Sequence, residues 1–237
     1  MALNKEVFKT RSLTAVVFVV VMLAGLFYNK WSFILLFTII HFGCWYEFVQ
    51  LVKKINPAKT LLYSLAGLLY ISMPVLMMLH LYCSFSDSHL PFASVGSGVI
   101  NNPVLIPCGI IFSIWINDTM AYVVGSLIGK TPFSAISPKK TWEGTGGGAL
   151  LCVLVIALLG YFLPVAQPIA VGHWIAIAAI CAVFGTAGDL LESKIKRLAN
   201  VKDSGSFMPG HGGFLDRFDS LLVATPFVWL YVMLFVK

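Results

Sequence analysis

An all-α, polytopic membrane bundle of about seven spanning helices is the fold class this sequence predicts, and three observations predict it. Hydrophobic residues make up 59% of the chain and charged residues 11%, with a mean hydropathy of +0.89, whereas soluble domains carry roughly 25% charge. Apolar runs recur near residues 12–28, 31–51, 60–83, 104–128, 146–163, 172–191 and 218–236. Each approaches the roughly 20 residues with which a helix, rising about 1.5 Å per residue, crosses about 30 Å of hydrocarbon. Finally, a cytoplasmic N-terminus followed by seven spans places fourteen of the sixteen Lys and Arg residues on the cytoplasmic side, leaving Lys30 and Lys237 opposite. The positive-inside rule favours that topology, so the net charge of +6 calls for no nucleic-acid partner.

The first run follows Lys5, Lys9 and Arg11, but Phe27-Tyr28-Asn29-Lys30-Trp31 is no small-residue cleavage site, so it reads as a retained helix. The Asn29-Lys30 link is short enough to make the first two helices antiparallel neighbours. Glu47 lies near the cytoplasmic end of the second run and reads as an acid that snorkels to the interface. Pro74 should kink the third helix, and residues 84–102, with Ser, Gly, Pro and His89 but no Lys or Arg, read as an external loop. The five cysteines sit singly in or beside apolar runs and read as packing residues.

Polar chemistry enters in the fourth run, dividing the chain into three N-terminal spans (1–103) and a C-terminal part (104–237) that carries the chemistry. Asp118, Tyr122, Gly125 and Gly129 are spaced to share a helix face, and an acid at that depth needs a partner. The loop that follows, KTPFSAISPKKTWEGTGGG, offers Lys130, Ser137, Lys139, Lys140, Thr141 and Glu143 ahead of a glycine-rich helix start suited to an anion. Gly125-x3-Gly129-Lys130-Thr131 falls one residue short of a P-loop and is not one. In the sixth run Ala178, Ala182, Gly185 and Asp189 form a small-residue face ending at a carboxylate, with Glu192 three residues on.

Residues 188–220 then concentrate five of the ten acids and five of the sixteen basic residues between two apolar runs. Asp189 and Glu192 close one helix while Asp216 and Asp219 open the next, both at the cytoplasmic face in this topology. Converging carboxylates repel unless a hard cation sits among them. Magnesium takes one or two carboxylates and completes its shell with water and substrate phosphate, and nearby Lys and Arg hold phosphate oxygens. The combination points to phosphoryl or nucleotidyl transfer. No GxSxG elbow, HExxH helix or Cys/His pair is present to favour hydrolysis.

The pattern Ser193-x2-Lys196-Arg197-x4-Lys202-Asp203-x-Gly205-x3-Pro209-Gly210-His211-Gly212-Gly213-x2-Asp216-Arg217-x-Asp219 resembles the C-terminal signature of the CDP-diacylglycerol synthases, or phosphatidate cytidylyltransferases. Asp118-x2-Ala121-Tyr122-x2-Gly125, Gly129-Lys130, Ser137-Pro138-Lys139-Lys140-Thr141-x-Glu143-Gly144 and Gly188-Asp189-x2-Glu192-Ser193 are similar to further segments of that family, so coverage is good from about residue 117 to 226. Met208 stands where the family more often has a branched aliphatic.

The resemblance implies Mg²⁺-dependent transfer of CMP from CTP to phosphatidate. It implies Asp189, Asp216 and Asp219, with Asp118 as a neighbour, for the metal. Lys202, Asp203, His211 and Arg217 join the catalytic set, and the loop residues named above, with Ser193, Lys196, Arg197, Gly212 and Gly213, bind substrate. The charge topology puts the active site at the cytoplasmic face, the expected membrane is a bacterial inner membrane, and the extensive apolar surfaces leave room for a homodimer. A CTP-using enzyme with another lipid acceptor, either a lipid cytidylyltransferase or a lipid-alcohol kinase, is the nearest alternative. A transporter is the alternative from another class, and it lacks the internal repeat expected of one.

Overall fold

The computed structural model describes residues 5–85, 102–208 and 212–236, and among them the regular structure is helical. The helices are α1 (Lys5–Phe27), α2 (Lys30–Ile55), α3 (Thr60–Ser64), α4 (Met73–Ser84), α5 (Leu105–Ile128), α6 (Trp142–Phe162), α7 (Val171–Leu198) and α8 (Leu215–Phe235). Five of them (α2, α5, α6, α7 and α8) are long and apolar enough to cross a membrane. The bent pair Pro57–Ser64 and Leu68–Ser84 counts as a sixth only if it is taken as one span, while the apolar part of α1, Ser12–Phe27, is shorter. The protein is an integral membrane protein.

The chain divides into two units, each discontinuous in sequence: residues 1–72 with 192–219, and residues 73–191 with 220–237. In the first, α1 and α2 form the expected hairpin. Its turn is fixed by a capping box in which Ser32 N–H donates to Asn29 Oδ1 at 2.8 Å and Asn29 N–H donates to Ser32 Oγ at 3.0 Å. Gly25 lets the hairpin close, since a Cβ there would stand 2.7 Å from a Leu36 methyl. The third apolar run is broken where residues 65–72 intervene between α3 and α4, ending in a π-helical turn, Leu68–Ser72. Pro74 follows that turn directly. Lacking an N–H and crowding the preceding turn, it disfavours a regular continuation on that side. Ser72 in turn ties the segment to α2, its hydroxyl lying 2.9 Å from both His41 Nε2 and Trp45 Nε1.

The second unit is built on the α5–α6 hairpin. Ala121 and Gly125 of α5 lie against Gly144 and Gly148 of α6. A Cβ on Gly148 would come 2.6 Å from Ala121 N and 2.7 Å from its Cα, and one on Gly144 would come 2.9 Å from Gly125 Cα. Gly125 and Gly129 turn toward α6 and Thr141, while Asp118 and Tyr122 are exposed on the chain's surface. At the other end of the hairpin, Trp174 of α7 fills the space left by Gly109 and Gly160 and donates from Nε1 to Ala166 O at 3.1 Å. Phe184 of α7 stacks on Phe227 of α8 at 3.5 Å.

The small-residue stripe of α7 is buried as its spacing predicts, with Ala178, Ala182 and Gly185 all inside. Where the apolar run stops near residue 191, however, the helix does not. It continues to Leu198, and its 28 residues make it about 42 Å long. Its last turns therefore extend past the roughly 30 Å that hydrocarbon requires, carrying Glu192, Ser193, Lys196 and Arg197.

The close approach at the glycines sets up a test. Gly148→Ala should destabilise the protein by about 1–3 kcal/mol, because the added methyl meets backbone that cannot rotate away. Gly146→Ala, which meets nothing within 4 Å, should be neutral or slightly stabilising. Thermal unfolding of the two variants in detergent checks this.

Candidate active site

In the first unit the polar residues are organised by α7's last turns, the loop after it and the start of α8. Helix α7 ends through Asn200, whose φ of 54° is the left-handed conformation that asparagine tolerates, and Val201 N–H returns to Lys196 O at 3.0 Å. Arg197 is exposed and donates to Val201 O at 3.2 Å, while Lys202, Asp203 and Arg217 are exposed as well. Further on, Met208 N–H donates to Gly212 O at 2.9 Å. His211, expected in the catalytic set, lies outside the described residues.

Two carboxylates anchor this loop. Asp216, in the first turn of α8, accepts on Oδ2 from Ser204 N–H and from Gly213 N–H, each at 2.8 Å, and its Oδ1 lies 2.6 Å from the Lys196 ammonium. Gly212 adopts φ +85°, and a Cβ there would crowd the Asp216 carboxylate, so glycine is required on both counts. The second anchor comes from α2. Glu47 is 5% exposed, and its Oε1 accepts from Phe214 N–H at 3.0 Å while Oε2 accepts from Leu215 N–H at 2.9 Å. The Ser204 hydroxyl stands 2.7 Å from Glu47 Oε2 and 2.8 Å from Asp216 Oδ2, one proton facing two carboxylates. Glu47 therefore does not snorkel. It is a buried cap on the N-terminus of α8, where negative charge also meets the positive end of the helix dipole.

Lys196 joins Asp216 to Glu192 on its own helix, forming an ion pair with each. Glu192 is fully buried, and apart from that ion pair neither of its carboxylate oxygens has a hydrogen-bonding partner among the described residues. Asp219, itself 7% exposed, brings a carboxylate oxygen within 4.8 Å of one from Glu192. Asp189 precedes Glu192 by three residues on the continuous α7, and Ser193 beside it is buried. Metal-ligand spacing thus involves Glu192, whereas Asp216 spends its oxygens on the loop and on Lys196.

The second unit orders the Lys130 to Gly144 segment. Phe133 N–H donates to Lys140 O at 2.8 Å and Trp142 N–H to Thr131 O at 3.0 Å, so the loop doubles back on itself. Thr141 caps α6 by accepting from Gly144 N–H at 3.1 Å. Glu143 Oε2 accepts from Lys130 N–H at 3.2 Å and Thr131 N–H at 3.1 Å, and Oε1 accepts from the Thr131 hydroxyl at 2.8 Å. Its carboxylate is a clasp between α6 and the end of α5. The Ser137-Pro138 turn is closed by Lys140 N–H donating to Ser137 O at 3.1 Å, with Lys139 exposed. Lys140 forms an ion pair with Asp189, both side chains half-buried.

Sequence reasoning missed Glu47 and Ser204 as members of this arrangement, and it left Glu192 without a role. The i, i+3 spacing of Asp189 and Glu192 was the signal for Glu192. For Glu47 the signal was an acid inside an apolar run, where such residues are costly unless partnered.

A helical membrane protein that gathers acids and lysines on two helix termini and two ordered loops defines the class. The cytidylyltransferase family profile matches residues 9–105 and 103–235. Over 124 residues the chain is 47% identical to the phosphatidate cytidylyltransferase of Bacillus subtilis (strain 168), covering 52% of this chain and 45% of that protein. It is 44% identical over 127 residues to phosphatidate cytidylyltransferase 5, chloroplastic, of Arabidopsis thaliana, covering 54% of this chain and 30% of that one. With the Staphylococcus saprophyticus phosphatidate cytidylyltransferase it shares 46% identity over 114 residues, 48% of this chain and 43% of the other. The chain thus spans less than half the length of these relatives. It belongs to the cytidylyltransferase family, in keeping with the resemblance to the CDP-diacylglycerol synthases.

Replacing Lys196 with Met should destabilise the protein by about 3–5 kcal/mol, because Glu192 and Asp216 lose the charge they share. The exposed neighbour Arg197→Met should change stability by no more than about 0.5 kcal/mol. Denaturant or thermal unfolding of the two variants makes the comparison.

Proposed function

We propose that this protein transfers CMP from CTP to phosphatidate, giving CDP-diacylglycerol and pyrophosphate. The observation that carries the proposal is the buried Glu192–Asp219 carboxylate pair, set on the segments whose motif resembles the CDP-diacylglycerol synthases. Relatives matched over about half of the chain carry the name phosphatidate cytidylyltransferase.

The donor set suits a hard cation. Glu192 is fully buried, with only the shared Lys196 ammonium to balance its oxygens among the described residues, and Asp219 brings a second carboxylate oxygen within reach. Glu192 and Asp219 would hold Mg²⁺, with Asp189 one turn earlier on α7. Asp216 stands as a neighbour on the first turn of α8. When bound, the ion supplies charge neutralisation for the reacting phosphates and polarises the phosphorus that is attacked.

A phosphate oxygen of phosphatidate forms a bond to the α-phosphorus of CTP, and the bond from that phosphorus to the bridging β-oxygen breaks, so pyrophosphate leaves with the electron pair. The phosphate monoester is already ionised near neutrality, so no strong general base is needed. The task left to the chain is to bring two polyanions together. Lys139 and Lys140, on the loop that Glu143 clasps, and Lys196, Arg197, Lys202 and Arg217 supply the cations. All of these side chains fall within residues 104–237. The distribution of Lys and Arg supports a cytoplasmic face for the site, and the membrane proposed for it is a bacterial inner membrane.

The test is product analysis with CTP labelled at the α- and γ-phosphates, phosphatidate and Mg²⁺ in detergent. Labelled CDP-lipid and pyrophosphate are expected; CDP release with a γ-labelled lipid would instead establish a lipid kinase. Asp219→Asn should lower turnover by more than the 10- to 100-fold typical of residues that merely support a ligand. Lys140→Ala should raise the KM for CTP while the protein still inserts.

A further inference from the structure

We propose that Glu47 is a positioning residue for the reaction, setting the start of α8 so that Asp219 faces Glu192. This rests on the function proposed above. The carboxylate is brought from α2, more than 150 residues away in sequence, to two consecutive backbone N–H groups at the first turn of α8. Asp219 lies four residues beyond Leu215, about one helical turn, so fixing Phe214 and Leu215 fixes the rotation and axial position at which Asp219 leaves the helix. The Ser204 hydroxyl links the same carboxylate to Asp216, so the loop before α8 is held from both sides.

A second observation points the same way. A Cβ at Gly205 or at Gly213 would collide with the Glu47 carboxylate. Two glycines of the loop therefore keep open the place this side chain occupies. Phe214 likewise packs where Gly43, one helical turn before Glu47 on α2, has no side chain. The bonds from Glu47 to Phe214 and Leu215 end on backbone N–H groups, so its influence travels through the backbone of α8.

The test uses the full chain in detergent, with Mn²⁺ as a spectroscopic substitute for Mg²⁺ and no nucleotide present. Glu47→Gln keeps one acceptor and turns an NH₂ toward the other N–H, and Gly213→Ala pushes the carboxylate from its place. Each should weaken Mn²⁺ binding about tenfold at unchanged circular dichroism. For each, kcat for CTP should fall about 10- to 100-fold, with the KM for phosphatidate within about twofold. Glu47→Ala should be worse than Glu47→Gln.

In the wild type, Mn²⁺ should slow amide exchange across residues 212–219 and leave α6 unchanged, a measurement that does not depend on any variant folding. Wild-type Mn²⁺ affinity and kcat in folded Glu47→Gln and Gly213→Ala would overturn the proposal, as would exchange at 212–219 that ignores Mn²⁺. A wild type that binds Mn²⁺ with that exchange response, yet forms no CDP-lipid, would sink the proposed reaction and leave the positioning role standing.

Discussion

A carboxylate buried away from water must find enough donors to replace its hydration, and the first unit is arranged around that requirement at Glu47. Its two oxygens take two backbone N–H groups and face a serine hydroxyl, with the positive end of α8 behind them. Charge-assisted hydrogen bonds of this kind are worth about 1.5–3 kcal/mol each, and removing one side leaves donors unpaired at a comparable penalty. Asp216 is satisfied in the same manner, by Ser204 N–H, Gly213 N–H and Lys196. Glu192 is treated differently. It has an ion pair with Lys196, a lysine already engaged with Asp216, and it has another acid, Asp219, nearby. The acids thus divide into Glu47 and Asp216, whose bonds build the loop, and Glu192 and Asp219, whose carboxylates lie close together. That division separates Asp216 from Asp219, although both sit on the first turns of one helix.

The second unit solves a different problem, that of holding a short basic loop in one shape. Close approach of α5 and α6 through glycines brings the end of one helix beside the start of the other. Glu143 then uses its carboxylate on Lys130 and Thr131 backbone groups, and the Thr131 hydroxyl, in place of water. With the ends pinned, the Ser137-Pro138 turn presents Lys139 outward and lets Lys140 meet Asp189. A lysine held by its loop loses less freedom when it meets phosphate than one on a loose chain. The acid of the Thr141-x-Glu143 motif thus supports the basic loop through the backbone.

Most of the helices were legible in the sequence because bilayer length and apolar composition leave little alternative to a helix. The boundaries were less so. The end of α7 was drawn where the apolar run stops, but Glu192, Lys196 and Arg197 continue the helix because they are good helix formers, with Glu192 and Lys196 paired along α7 and Lys196 reaching Asp216 on α8. Spacing placed Asp118 and Gly125 on one face of α5; the close approach to α6 is made by Ala121 and Gly125, while Asp118 on that face stays exposed. The motif of residues 193–219 was readable as a pattern, including Gly205 and Gly213. Its reason was not, because the side chain those glycines make room for lies far upstream in an apolar run. A linear motif records the spacing of its own residues and is silent about a partner on another helix.

The extra length of α7 bears on where chemistry can occur. In the reaction proposed above, the nucleotide triphosphate stays in water and the phosphatidate headgroup at the interface, so a site joining them has to stand where helices leave the hydrocarbon. At about 42 Å, α7 outlasts the apolar slab by about two turns, and Glu192 and Lys196 ride on that surplus. Helix α8 opens with Asp216, Arg217 and Asp219 before its apolar run begins. Polar side chains fixed on helix ends are held more tightly than side chains on a free loop, while still within reach of both phases. Burying Glu192 and Asp219 there lowers the local dielectric around them, so an opposite charge brought between them is bound more strongly than it would be at an open surface.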